Sequence, residues 1–182
     1  MDPTGPAPVE IAEGQAADAP GIEALSREAF DPAFREAWTA RQIEQVLASP
    51  EGWLLVARDA DGTLAGFALS RMSGSDAELL LCATRVGRWR QGIARRLVEA
   101  AARSAAERGA RRLVLEVRET NLPARALYAA CGFVQVGLRP GYYTRASGER
   151  QAALTLARDL GGLAPASGGP AGTTAPRHEK TS

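Results

Sequence analysis

The period of the hydrophobic pattern switches repeatedly along this chain, and the order of the switches restricts the fold more than any other feature. Residues 9–12 form a short apolar strand signal. Two segments at helical spacing follow, 20–30 with Ile22, Leu25 and Phe30, and 39–48 with Ile43, Val46 and Leu47. Residues 53–58 and 64–71 are expected as strands joined by Asp59-Ala60-Asp61-Gly62, whose Asp-Gly pair suits a hairpin. Residues 78–84 add a third apolar strand. A helix over 92–108 carries Ile93, Leu97, Ala101 and Ala105 on one stripe, with Gly109 placed to end it. A strand over 112–118, a short helix over 123–131 stopped by Gly132, and strands over 133–138 and 152–158 complete the series. No repeat is present. Strand, two helices, three strands, helix, strand, helix and two strands describe one α/β (α+β) domain around a mixed sheet.

The chain has 182 residues, 45% of them hydrophobic, enough for one core. Residues 161–182 are dominated by Gly, Pro, Ala, Thr and Ser, so burial cannot offset their ordering entropy and a disordered tail is expected. Residues 1–8 are expected to be a flexible N-terminus, leaving 9–160 as the folded domain. The first residues lack the basic start and apolar stretch of a signal peptide. No apolar run approaches the roughly 18 residues of a membrane helix, so a soluble cytoplasmic protein without a membrane partner is expected. Two cysteines, Cys82 and Cys131, cannot make a disulfide framework and sit in apolar surroundings, which suits a reducing compartment.

The basic residues exclude several chemistries. All are arginines except Lys180, and the one histidine is His178, so both lie within the last five residues. A Walker-type phosphate loop or a lysine Schiff base on the folded body is thereby excluded. So are a Ser-His or Cys-His catalytic pair and a histidine-built metal site, and no metal is expected. Residues 1–84 carry 5 basic and 14 acidic side chains, whereas 85–182 carry 17 and 7. The second half is suited to an anion, whether nucleic acid, phosphate or acidic protein, although a solvated arginine face would have the same composition.

Arg88-Trp89-Arg90-Gln91-Gly92-Ile93-Ala94-Arg95-Arg96 joins a strand to a helix start. The first N–H groups of a helix lack internal partners and the dipole is positive there, so this segment can cradle an anion, with Gly92 admitting a phosphate to the backbone. Taken alone, a tight turn flanked by solvated arginines is an equal alternative. A dinucleotide fold is disfavoured, because the three-glycine spacing is absent.

The whole run from 78 to 143 narrows the choice. Arg90-Gln91-Gly92-Ile93-Ala94 after a strand is followed by Leu115-Glu116-Val117-Arg118, Asn121, Ala126-Leu127-Tyr128, Gly132-Phe133, Arg139 and Tyr142-Tyr143. This pattern resembles the GNAT N-acetyltransferase superfamily, and within it most resembles the ribosomal-protein alanine N-acetyltransferases. The strong likeness covers roughly 78–143 and the element order about 9–160. It implies a single GNAT-like domain with a mixed, mostly antiparallel sheet flanked by about four helices, and acetyl-CoA as co-substrate. By the same resemblance, the backbone of Cys82, Ala83 and Thr84 pairs with the pantetheine arm. Arg90, Gln91, Gly92, Ile93, Ala94 and Arg95 hold the pyrophosphate, and Asn121 lies on the pantetheine side. Glu116 is the implied general base, Tyr128 the general acid, and Tyr142 and Tyr143 line a peptide groove. The implied partner is a protein N-terminus, that of a small-subunit ribosomal protein, with no nucleic acid.

These residue types suit that chemistry. A peptide α-amine has a pKa near 8, so at neutral pH it is mostly protonated and cannot attack a thioester until a carboxylate accepts the proton. Glu116 shares a strand face with Val114 and Arg118, opposite Leu113, Leu115 and Val117. A phenol with a reference pKa about 10 keeps its proton for the leaving thiolate. Direct transfer needs no covalent enzyme intermediate, in keeping with a body that lacks histidine and lysine. Singly, Glu116 beside Arg118 has the character of a sheet ion pair, Tyr128 of a core aromatic and Cys131 of an inert core thiol. Their joint spacing with the glycine loop carries the assignment. Two segments depart from the resembled pattern: Arg150-Gln151 stands for an acidic pair, and Glu36-Ala37-Trp38-Thr39 for a Pro-Trp signature. Both border the acceptor side, so a small amine such as a polyamine or antibiotic is the alternative acceptor. A silent acyl-CoA-binding module is the alternative of another class.

Overall fold

The computed structural model describes residues 8–34, 36–145 and 147–163. His178, Lys180, the expected N-terminal segment up to residue 7 and the tail from 164 onward lie outside the described residues. Seven strands form one sheet: β1 (Glu10–Glu13), β2 (Gly52–Arg58), β3 (Leu64–Ser73), β4 (Asp76–Thr84), β5 (Arg112–Arg118), β6 (Val134–Thr144) and β7 (Arg150–Asp159), in the spatial order β1-β2-β3-β4-β5-β7-β6. Among the described residues the α-helices are α1 (Ala19–Ala29), α2 (Ala40–Leu47), α3 (Ile93–Glu107) and α4 (Leu122–Ala130). Every pairing is antiparallel except β4 with β5. The sheet is therefore mixed and mostly antiparallel, as expected.

Period 2 along the strands distributes the core between two layers. Trp53, Leu55 and Ala57 of β2 point to the face that α3 and α4 cover, while Leu54 and Val56 point to the face under α1 and α2. Helix α3 contributes Ile93, Leu97, Val98, Ala101, Ala102 and Ala105 to the first layer. Complete burial of Leu97 and Val98 stabilises by about 2 kcal/mol each before entropic costs. Small residues bring this helix close: a Cβ on Gly66 would lie 2.9 Å from the Ala83 carbonyl and 3.0 Å from Leu97. Helix α2 begins where the chemistry of Thr39 dictates, since its Oγ1 accepts from the Gln42 N–H while its own N–H donates to Gln42 Oε1.

Strands β4 and β6 are irregular. In β4, Leu81 opposes Leu69 and Leu79 opposes Ser70, so Leu80 is an extra residue and the strand bulges. Ala77 and Leu79 thus face α3, whereas Leu81 and Ala83 face α1 and α2. Strand β6 is longer than the pattern predicts, running past 138 to Thr144 and taking in Tyr142 and Tyr143. Its register shifts between Arg139 and Tyr143, at Pro140 and Gly141. Because β6 is an edge strand, the missing proline N–H removes no necessary ladder bond, and the hydrophobic alternation ends before the strand does.

Both cysteines are packed against the α3 layer, and Cys131 is buried. Burial pushes the Cys82 thiol up to about 12, with Cys131 adding to the shift. The shift keeps the Cys82 thiol protonated through neutral pH, where it packs against the core from the cavity wall. A thiol reagent at pH 8 should label Cys82 of the native chain far more slowly than the same cysteine in denaturant. Fast native labelling of Cys82 would contradict this packing.

Candidate functional site

The sheet opens in one place. Strands β4 and β5 pair only at Ala77 with Leu113 and Glu78 with Val114, after which β4 continues against β3 and β5 against β7. A cavity of about 870 Å³ fills the divergence and is lined by Cys82, Glu116, Asn121, Tyr128, Tyr142 and Tyr143, among others. From Leu79 onward the β5 side of β4 has no strand partner, so its backbone is available to an extended ligand.

Glu116 reaches the cavity because Leu113, Leu115 and Val117 take the α3 layer and leave the alternate positions to the other face. Its Oε1 is 3.1 Å from Arg139 Nη1 of β6, and Arg139, more than half exposed, also lies 5.3 Å from the Tyr142 ring. Two residues along, Arg118 Nε donates to Glu36 Oε1 at 3.1 Å. Glu36 comes from the α1–α2 connection and lines the same cavity with Trp38. Tyr142 and Tyr143 meet edge-on at 5.2 Å.

Tyr128 arrives from the opposite side of the sheet. Asn121 caps α4 by accepting from the Ala124 N–H, and Ala124 and Tyr128, one turn apart, then turn the same helix face to the cavity. The Tyr128 ring packs edge-on against Phe133 at 5.6 Å within the α3 layer. Burial pushes its phenol well above the usual range, and the ionisable neighbours Cys82, Cys131, Tyr143 and Glu36 add to the effect. Tyr143 is raised in the same direction, first by burial and then by Glu36, Glu116 and Tyr142. Both phenols therefore hold their protons through neutral pH.

The glycine segment lies at the far end of β4, outside this cavity. A 3-10 turn, Val86–Arg88, leads to Arg90 with φ 60° and to Gly92 with φ 76°, the N-cap of α3. No side chain caps that helix start. A Cβ on Gly92 would meet nothing within 4 Å, so its left-handed backbone, rather than crowding, calls for glycine. The loop is held by Trp89 Nε1, which donates to the Thr84 carbonyl at 2.9 Å, and by Glu28, which accepts from the Val86 N–H at 3.1 Å. Thr84 Oγ1 and Gln91 Oε1 are buried here without hydrogen-bond partners among the described residues, leaving two polar atoms for a ligand to satisfy.

What the segment can offer an anion is mostly backbone. The Ile93 side chain is buried in the core, and Ala83 packs in the α1–α2 layer, so each can offer only main-chain groups. Ala94 stands in the first turn of α3 behind Ile93. Arg95 lines a separate groove of about 660 Å³ between α3 and β1, where Arg96 donates to the Val9 carbonyl. Arg88 pairs with Asp59 at 3.0 Å. Of the residues expected from the sequence, Cys82, Glu116, Asn121, Tyr128, Tyr142 and Tyr143 line the cavity and Arg90, Gln91, Gly92, Ile93 and Ala94 lie together at the far end of β4, whereas Arg95 lines the groove beside β1. Sequence reasoning did not single out Glu36 or the Arg71–Glu78 pair at the cavity wall, and it set Arg118 beside Glu116 as an ion pair, whereas Arg118 pairs with Glu36 and Glu116 with Arg139. The one signal for Glu36 was the departure at Glu36-Ala37-Trp38-Thr39. Among the described residues, no group of three or more His, Cys, Asp and Glu side chains could hold a metal ion.

The chain is similar to known proteins. The ribosomal protein bS18-alanine N-acetyltransferase of Escherichia coli K12 is 33% identical over 113 residues, covering 61% of this chain and 76% of its own. The streptothricin acetyltransferase of Streptomyces lavendulae is 40% identical over 103 residues, covering 56% and 54%. The crystal structure of the ribosomal-protein-S18-alanine N-acetyltransferase from Escherichia coli superposes with a TM-score of 0.75 at 26% identity, covering 88% of this chain and 97% of that one. The model of the acetyltransferase (GNAT) family matches residues 19–133, most of the chain. With its glycine loop at a helix start and its sheet parted between β4 and β5, the chain belongs to the acetyltransferase (GNAT) family, whose members take their acetyl group from acetyl-CoA.

Proposed function

We propose that this enzyme acetylates the α-amino group of a protein N-terminus, that of an N-terminal alanine of a small-subunit ribosomal protein. Glu116 is the general base and Tyr128 the general acid of a direct transfer. The observation that carries the reading is that Glu116 and Tyr128, from opposite faces of the sheet, line one cavity where β4 and β5 part. The donor fits the neighbouring cradle: acetyl-CoA supplies the activated acetyl group, its pyrophosphate answering the backbone of Arg90, Gln91, Gly92, Ile93, Ala94 and Arg95. The β4 edge at Cys82, Ala83 and Thr84, with Asn121, receives its amide-containing arm.

The residues then divide the proton work. The acceptor enters as an ammonium, since a peptide α-amine has a pKa near 8. Glu116 removes a proton, the freed nitrogen attacks the acetyl carbon, and the C–S bond breaks as Tyr128 protonates the leaving sulfur. The second nitrogen proton leaves by way of Glu116, water restores the Tyr128 proton, and one proton is released overall. Arg139 must yield its place on Glu116 when the acceptor arrives, and the Tyr142 ring offers it a second resting place.

The charge of the cavity supports a peptide. Glu36, Glu78 and Glu116 are each paired with an arginine, respectively Arg118, Arg71 and Arg139. A polycation would have to break several pairs, whereas a single ammonium displaces one. The likeness to the bS18-alanine enzymes points the same way, and Tyr142 and Tyr143 at the rim suit a peptide backbone. The streptothricin relative favours the second reading, a small-molecule amine as acceptor.

Thiol release from acetyl-CoA, measured against N-terminal peptides, polyamines and amine antibiotics, tests the acceptor. Turnover of peptides beginning with alanine is expected; turnover of polyamines or antibiotics with no peptide would overturn the peptide reading. Glu116→Gln should lower kcat roughly 10²-fold with little change in acetyl-CoA affinity, and undiminished turnover would reject the base. Gly92→Glu should abolish acetyl-CoA binding by calorimetry while the circular dichroism spectrum stays native, because a carboxylate then occupies the anion cradle.

A further inference from the structure

Glu36 is a carboxylate in the acceptor cavity to which the transfer itself gives no task. It reaches the cavity from the α1–α2 connection rather than from the sheet, and it is held at the wall by Arg118 Nε at 3.1 Å, both side chains largely buried. Arg118 and Glu116 are alternate residues on one face of β5, so their backbone positions are about 7 Å apart. Glu36 and Glu116 thus line the same cavity, with Arg118 between them on β5 holding Glu36. The same space contains Tyr143, whose phenol responds to both Glu36 and Glu116. A carboxylate has about four acceptor positions and Arg118 Nε uses one, so Glu36 can accept further N–H groups without leaving its partner.

An ammonium has three N–H bonds. One must point at the base, and orientation of the nitrogen requires that another be held elsewhere. We propose that Glu36 is the second carboxylate of the acceptor site, receiving an N–H of the incoming ammonium and fixing the nitrogen between itself and Glu116. It is a specificity-determining residue: it binds and orients the cationic amine and takes no proton. The inference rests on Glu116 as the base but not on which amine is the acceptor, so it stands whether the substrate is a peptide or a small molecule.

The test is steady-state kinetics of Glu36→Gln and Glu36→Asp, with whichever amine of the acceptor panel is turned over fastest. Glu36→Gln keeps size and hydrogen bonding to Arg118 but removes the charge. It should raise the acceptor KM about tenfold or more while the acetyl-CoA KM stays within about twofold and kcat falls far less than in Glu116→Gln, and Glu36→Asp should recover much of the loss. Glu116→Gln should show the opposite split, with kcat falling and the acceptor KM little changed, so failure of the base assignment is read separately. A double variant, Glu36→Gln with Arg118→Met, should keep the raised KM. Recovery of the wild-type KM in the double variant would mean that the altered surroundings of Arg118, not a missing ligand for the ammonium, caused the defect. That result, or an unchanged acceptor KM in Glu36→Gln, overturns the proposal.

Discussion

The parting of β4 from β5 is the constraint on which the rest of the molecule depends. Two parallel strands that pair at Ala77–Leu113 and Glu78–Val114 and then diverge leave backbone groups without ladder partners, which in a sheet interior is costly unless something else binds them. The molecule tolerates the break because both strands keep a full partner on the other side, β3 for β4 and β7 for β5. The Leu80 bulge bends β4 at the start of the opening and reassigns its side chains, so that Leu81 and Ala83 serve the α1–α2 layer. A hole through an otherwise closed core results.

That opening brings residues of opposite layers to one cavity. Glu116 belongs to the face under α1 and α2, and Tyr128 belongs to the layer of α3 and α4; a continuous sheet would keep them apart. The two environments differ in polarity. Tyr128 is packed on Phe133 and stays a phenol, while Glu116, Glu36, Arg118 and Arg139 form a set of paired charges open to the acceptor side. A phenol in an apolar wall facing a carboxylate in a polar one is the division of labour that the proposed acyl transfer would use.

Much of the fold was legible from periodicity. Every strand and α-helix occurs in the expected order; ends moved by one or two residues in β3, β4 and β7, at α2 where Thr39 caps the helix, and by more in β6, which continues through Pro140 at the sheet edge. The candidate site was legible where spacing encodes it: Gly92 at a positive φ before α3, Glu116 on the alternate face of β5, and Asn121 with Tyr128 on one side of α4. Glu36 was not, because a carboxylate in a loop has no period. Its meaning comes from Arg118, 82 residues away in sequence. Arg88, Arg95 and Arg96 looked alike as neighbours of the glycine, yet Arg88 binds Asp59, Arg95 lines the groove beside β1 and Arg96 bonds to Val9.

Local pattern alone determined which segments are strands and helices and which residues on each point inward, and it marked a helix start whose exposed backbone can take an anion. These follow from steric period, from capping and from the partial charge of unpaired N–H groups, all properties of neighbours in the chain. The tertiary structure alone decided that β4 and β5 separate, that Tyr128 reaches the cavity of Glu116 through the gap, and that Glu36, Glu78 and Glu116 each take an arginine of their own. Those depend on long-range pairing and on the distances between side chains, which no spacing along a chain specifies.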